Sequence, residues 1–243
     1  MTPGDHLSSG RAAAREKGTI PDLQDLSLDA AVTELDDQYR RRGGRSIDPA
    51  GLERFSRVSA AAESYEVQWR LARAMFLLGD GSPDCFRLGI NHGQTAAKLE
   101  PGRVEGHFWL GVNQALYAEH SRGLGAALLI VKARGHLKRA AMIRESYHGA
   151  GPLRVLGRLY HKAPWFLGGS SKRSLLRYER ALSLDPANSV TLLYAAELAI
   201  ATGDLNRAAR LLQKVVDSPV NPDWEFENRR DKELARTLLA EIN

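Results

Sequence analysis

The chain of 243 residues contains a single cysteine, Cys85. A lone thiol excludes an internal disulfide, so the fold has to be held without one. Long apolar runs are equally scarce. The longest, Ala126 to Val131, is six residues, far short of the ~18 to 20 needed to cross a bilayer. Alternating runs rich in Val, Ile, Thr and aromatic residues do not occur, which argues against a sheet. Residues Met1 to Asp22 are polar, with Gly, Ser and Lys, and lack the apolar core of a signal peptide. The expectation is a chain without an export signal.

Motifs of catalysis are missing as well. There is no Gly-x-Ser-x-Gly elbow, no His-Glu-x-x-His, no paired-Cys motif and no dinucleotide fingerprint. Gly168-Gly169-Ser170 lacks the downstream Lys-Ser/Thr of a phosphate loop. Six histidines (His92, His107, His120, His136, His148 and His161) fall 12 to 16 residues apart, with no pair at the i,i+4 spacing of a helical metal site. No enzyme, metal or cofactor is expected. The net charge of +5 and pI of about 9.4 raise the question of nucleic acid. Basic residues are scattered among acidic ones, however, and the one tight run is Arg40-Arg41-Arg42 with Arg45 behind it. A nucleic-acid partner is therefore not expected.

What the chain does contain is a ladder of small-residue pairs. Leu71-Ala72, Leu110-Gly111, Leu156-Gly157 and Ala195-Ala196 are separated by 39, 46 and 39 residues. A helical-hairpin repeat of the tetratricopeptide type has a unit of about 34 residues with a large-small pair in its first helix, so the intervals read as units with insertions of about 5, 12 and 5. Second helices end in one register at Ala96–Pro101, Ala141–Ser146 and Ala181–Pro186, and Pro stops two of them. The fourth unit is uninterrupted: Leu192 to Thr202, a Gly203-Asp204 turn, then Ala208 with Leu211, Leu212, Val215 and Val216 at helical spacing. Gly79-Asp80 marks the matching turn in the first full unit.

The fold class read from this is all-α, a solenoid of stacked helical hairpins. Residues 27–243 form one domain after a polar, flexible segment at 1–26. Leu28–Arg42 and Pro49–Ala62 look like a further, degenerate hairpin, and Asp223–Ile242 like a capping helix. Its charged run from Glu225 to Lys232 reads as a solvated face.

Insertions in a solenoid gather on one face, often the binding face. The 12-residue excess lies within Glu119–Lys138; its plain reading is an extra short helix covering a neighbouring groove, and its functional reading is a segment that lines a ligand cleft or meets another subunit. The last excess lies in His161–Ser170, where Trp165 and Phe166 stand between Pro164 and Gly168. Two large aromatics are costly to expose, so they are expected to pack against the groove, a ligand or a partner. Arg154 and Arg158 are four residues apart on one helix, which lets both guanidinium groups reach one acidic group; ordinary surface pairing is the rival reading.

Gly106–Asn113, the insertion ending near Lys138, and Gly149–Tyr160 through Ala163-Pro164 and Gly168-Gly169 resemble the T-component family of tripartite ATP-independent periplasmic (TRAP) transporters. The similarity runs from about Trp69 to the C-terminal helix. The resemblance implies a periplasmic, often lipid-anchored helical-repeat protein, although the lipoprotein signal and acylated Cys of such proteins are not in this sequence. It also implies association with the transporter's substrate-binding component, a homo-oligomer such as a trimer, and an apolar cleft for a hydrophobic small molecule. The expected function is a non-catalytic scaffold whose binding residues are His107, Trp109, Asn113, Tyr117, Arg154, Arg158, Tyr160, Trp165 and Phe166. The alternative is a cytoplasmic adaptor that binds peptide segments and has no role in transport.

Overall fold

The computed structural model describes residues 27–42, 63–79 and 82–242. Among them are ten α-helices: α1 (Leu28–Arg40), α2 (Tyr65–Leu78), α3 (Pro83–Leu99), α4 (Val104–Glu119), α5 (Gly123–Arg144), α6 (Tyr147–Lys162), α7 (Ser171–Leu184), α8 (Ser189–Ala201), α9 (Leu205–Asp217) and α10 (Glu225–Ile242). Two 3-10 turns, Trp165–Leu167 and Pro222–Trp224, precede α7 and α10. The expected segment 1–26, the helix at 49–62 and Asp80 of the first turn lie outside the described residues.

Local chemistry sets the helix starts. Side-chain oxygens of Ser27, Ser64, Ser170, Asn188 and Asp204 accept the amide three residues on, satisfying donors that a helix N-terminus leaves unpaired. Pro83 occupies the first turn of α3, where its missing N–H costs nothing.

The hairpins are α2/α3, α4/α5, α6/α7 and α8/α9, with α10 as the cap. First helices touch in the order α2, α4, α6, α8, α10 and form an inner layer. Each second helix packs on the first helix of the next unit, forming an outer layer. The glycines of the ladder sit where the two helices of one hairpin cross, Gly111 of α4 against Leu137 of α5 and Gly157 of α6 against Tyr178 of α7, while Gly93 of α3 sits where the next unit crosses. A Cβ on Gly157 would lie 2.5 Å from the Tyr178 ring, and one on Gly93 would lie 2.8 Å from the Leu110 backbone. Helices approach there closer than any side chain permits.

The insertions take different forms from those expected. The 12-residue excess makes no extra helix; it lengthens α5 to 22 residues. A continuous helix satisfies its own backbone without a second pair of caps. The last excess becomes the Trp165–Leu167 turn. On α10, the charged run is only partly a solvated face. Asp231 is 1% exposed and accepts from the Ser189 hydroxyl at 2.7 Å, while Asn228 Nδ2 donates to that same oxygen at 2.9 Å. The cap thus docks on α8 through a buried polar triad, and burial raises the Asp231 carboxyl above its usual pKa.

α1 packs Ala31 and Leu35 against Val67, Leu71, Ala74 and Met75 of the first hairpin. Its Asp36 accepts from Arg70 and Arg73 of α2. Its far end reaches the other terminus of the array: Arg42 donates to the Glu227 carboxylate at 2.6 and 2.8 Å and to the Asp223 carbonyl at 2.8 Å. The two ends of the stack meet.

Gly93→Ala should cost about 1–3 kcal/mol, because the Leu110 backbone cannot move aside as a flexible side chain would. Gly135 in mid-α5 has open space around it, so Gly135→Ala should gain about 0.5–1 kcal/mol. Thermal unfolding should therefore shift in opposite directions for the two variants.

Candidate functional site

The meeting point is built on an irregular turn at the start of α6. His148, Gly149 and Ala150 all adopt left-handed dihedrals, with φ of 54°, 61° and 56°. Glycine takes that conformation freely, but for His148 and Ala150 it costs about 1–2 kcal/mol each. Such a turn persists only where its surroundings over-determine it. Arg154, one turn later and 5% exposed, clamps it from inside. Its guanidinium donates to the Gly149 carbonyl at 2.7 Å, to the His148 carbonyl at 3.3 Å and to Asn188 Oδ1 at 3.3 Å. Gly151 completes the fit, because a Cβ there would lie 2.8 Å from the Phe108 ring.

The turn drives the His148 ring into an aromatic box. Its centroid lies 4.7 to 6.2 Å from those of Trp224, Trp109, Phe108, Tyr147 and Tyr39. The Tyr39 hydroxyl is 2.7 Å from His148 Nε2, and Trp109 Nε1 donates to the Tyr147 hydroxyl at 3.1 Å. Guanidinium groups cover the outside. Arg73 lies over Tyr39 at 4.1 Å and Arg42 over Tyr39 at 4.4 Å. Burial, reinforced by Arg154, Arg42 and Arg73, holds the His148 pKa well below its ordinary value. Burial also raises the Tyr39 hydroxyl. Both groups are therefore neutral near pH 7, and what the box supplies is a fixed junction of α1, α4, α6 and the Pro222–Trp224 turn.

The expected binding residues do not form one site. Trp109 and Arg154 belong to this junction. Asn113 is fully buried and donates to the carbonyls of Ala72 and Trp109 at 2.9 and 2.8 Å, sewing α4 to α2. His107 faces α5, where its Nδ1 lies 3.2 Å from His136 Nδ1. Its Nε2 lies 3.1 Å from the Pro101 carbonyl. A carbonyl only accepts, so Nε2 carries the His107 proton and His136 donates across the pair. Tyr117 is half-buried near the end of α4, and its carbonyl accepts from the Ser121 hydroxyl at 2.8 Å. Tyr160 is buried under the Arg173 guanidinium at 4.9 Å.

One expectation is corrected and one is narrowed. Arg154 and Arg158 do not share an acidic group: Arg158 pairs with Glu197 and lies over Tyr194 at 4.3 Å, while Arg154 has only carbonyl and amide oxygens. A left-handed turn needed its carbonyls filled, and Arg154 was the donor within reach. Trp165 and Phe166 do not pack into the groove. They are 84% and 68% exposed and contact each other edge to face at 5.9 Å, because hydrogen bonds from Arg134 and Arg173 to the carbonyls of Leu167 and Gly168 hold the turn outward.

A separate shallow cleft of about 360 Å³, broadly open to solvent, lies on the inner layer between α6, α8 and α10. It is lined by His161, Lys162, Glu197, Ile200, Ala201, Leu234 and Leu238. Lys162 Nζ is 3.7 Å from Glu197, so ionic pairs stand at one rim and aliphatic side chains form the walls. Among the described residues no three His, Cys, Asp or Glu side chains converge as a metal site requires. Sequence reasoning missed Tyr39, Arg42, Arg73, His148 and Trp224. The run His148-Gly149-Ala150-Gly151-Pro152 was the available signal for the turn; nothing local marks Tyr39 or Trp224.

The sequence model of the TRAP transporter T-component family matches residues 91–243, the span that holds the left-handed turn, the cleft and the exposed aromatics. The chain belongs to that family. No curated protein matches it. Among solved structures, a thermophilic TPR protein of Thermus thermophilus is similar at 19% identity and a TM-score of 0.57, covering 88% of this chain and 89% of that one. At that identity the likeness speaks to the fold alone, and it agrees with a T-component built as an all-α solenoid of tetratricopeptide-like hairpins. No helix of the described residues is long and apolar enough to cross a membrane.

His148, His107, His136 and His161 all have pKa values lowered chiefly by burial. The unfolded chain therefore binds more protons than the folded one below the ordinary histidine pKa of about 6.5. Stability should be full above that pH and fall as the pH drops from about 7 to 5. Chemical unfolding at the two pH values checks this. His148→Asn, which tolerates the left-handed backbone and cannot titrate, should flatten part of the slope.

Proposed function

We propose that this T-component is a non-catalytic accessory subunit that binds a partner protein, the transporter's substrate-binding component, and holds a hydrophobic small molecule in its inner-layer cleft. The observation that carries the reading is the cleft between α6, α8 and α10. Its volume of about 360 Å³ falls at the small end of the ~300–1,000 Å³ range of ligand sites. Ile200, Ala201, Leu234 and Leu238 give it apolar walls, and the Arg158–Glu197–Lys162 rim gives a polar edge that orients a bound molecule. Leu234 is 41% exposed, so the apolar surface is open to a ligand from solvent.

The inner layer of a helical-hairpin stack is the face such arrays use to meet partners. Here the exposed part of that face surrounds the cleft, since the other end is closed by the His148 junction. In this reading the partner approaches over α8 and α10, the protein works in the periplasm, and it assembles as a homo-oligomer.

Ala201 is exposed at the cleft mouth, so Ala201→Trp should fill the cavity without disturbing the core. Native mass spectrometry of the wild type should show a co-purified apolar mass that this variant lacks. Arg158→Ala with Glu197→Ala should weaken co-elution with the substrate-binding component by about tenfold. An empty wild-type protein together with unchanged co-elution would overturn the reading.

A further inference from the structure

α5 carries two apolar stripes, and the fold uses one. Ala133, Leu137 and Ala140 are fully buried against the neighbouring helices. On the opposite side Leu124, Leu128, Val131 and Met142 are 90%, 54%, 46% and 77% exposed. At 3.6 residues per turn these four lie within about 60° of one another around the helix. Lys132 and Arg139 flank the stripe on one side, and Arg134 and Lys138 on the other. None of the four forms an ion pair among the described residues. The exposed Trp165 and Phe166 stand beside this helix, tied to it by the 2.6 Å bond from Arg134 Nη1 to the Leu167 carbonyl.

Composition along the helix says what kind of surface this fits. From Gly123 to Arg144 there is no Asp, Glu, Ser, Thr, Asn or Gln. Apart from His136, which is engaged with His107, every polar side chain of α5 is a cation that can only donate. Protein interfaces carry about one hydrogen bond per 100–200 Å² and draw on both donors and acceptors. An anionic phospholipid surface presents acceptors above an apolar layer, the complement of cations flanking an aliphatic ridge. The bias extends beyond the helix. Between Arg122 and Tyr178 the chain holds twelve Lys and Arg and one acidic residue, Glu145. The basic residues are spread over the whole chain, but the net positive charge is concentrated in its middle, where acidic residues are nearly absent.

We propose that the outer face of α5, with the Trp165–Phe166 turn, is a peripheral docking surface for an anionic phospholipid bilayer. Leu124, Leu128 and Val131 enter the interface lengthwise, Trp165 and Phe166 sit at headgroup depth as aromatic side chains do, and the four cations reach sideways to lipid phosphates. The helix lies on the membrane and does not span it. None of the residues of this surface lines the ligand cleft, so the proposal stands without the reading given under Proposed function.

The test uses the full chain and sedimentation with large vesicles of phosphatidylglycerol and phosphatidylcholine, against vesicles of phosphatidylcholine alone. Partition should favour the anionic vesicles and weaken with salt. Removing one cation should cost about fivefold in partition, and Lys132→Glu with Arg139→Glu should cost more. Trp165→Ser with Phe166→Ser should also weaken it, with thermal unfolding unchanged because all four side chains are at the surface. In wild type the tryptophan emission should shift blue on anionic vesicles, and Trp165→Phe should remove that shift. Equal partition to both vesicle types, or none, would overturn the proposal. So would substitutions in the stripe that turn an oligomer into monomers, or that abolish binding of an acidic protein partner while leaving vesicle partition unchanged.

Discussion

The contact between the Tyr39 hydroxyl and the His148 ring spans 109 positions of sequence, and the shape of the inner layer depends on it. A stack of helical hairpins holds its neighbours together locally and leaves its two ends free. Here a left-handed turn swings an imidazole inward, α1 lays Tyr39 on it, and Trp224 closes from the C-terminal side. Arg42 then bonds Glu227. The local backbone cost of the turn is offset by the ring contacts it makes possible and by the Arg154 clamp on its carbonyls. Lowering the His148 pKa by burial keeps the junction neutral among three guanidinium groups, where an imidazolium would be repelled.

Closing one end of the inner layer takes side chains out of reach of solvent. Trp109, Asn113 and Arg154 are consumed in holding helices together, so the open part of the inner face is the stretch over α8 and α10. The outer layer differs in kind. α5 and the Trp165 turn carry exposed aliphatic and aromatic side chains, set among cations that form no ion pair among the described residues. The chain thus carries an aliphatic cleft with an ionic rim on α6, α8 and α10 and a basic, apolar ridge on α5.

The repeat was legible because its cause is local. Two helices that must cross closely demand a small residue at a fixed place in each hairpin, and Gly111 and Gly157 recur on schedule. Trp109 was expected to bind a ligand or partner; it is buried in the junction, among neighbours that no local pattern names. Tyr39 and Trp224 reach His148 only through the curvature of the whole stack, which no short-range pattern records. Trp165 and Phe166 were expected to fill the groove or to meet a ligand or partner; arginine bonds to the carbonyls of Leu167 and Gly168 hold them out of the groove, which leaves the second alternative. The concentration of net positive charge between Arg122 and Tyr178 was in the sequence throughout. A net charge of +5 over the whole chain hid it, because acidic residues at the two ends cancel most of it.

The closure of the array is tested most directly by a double-mutant cycle on Arg42 and Glu227, whose side chains are 6% and 15% exposed. Unfolding free energies are measured for Arg42→Ala, Glu227→Ala, the pair and the wild type. If the ends meet as described, the two losses are non-additive with a coupling of about 1–3 kcal/mol. Strictly additive losses would mean that the N-terminal helix and the C-terminal cap do not touch, and the junction at His148 would fall with them.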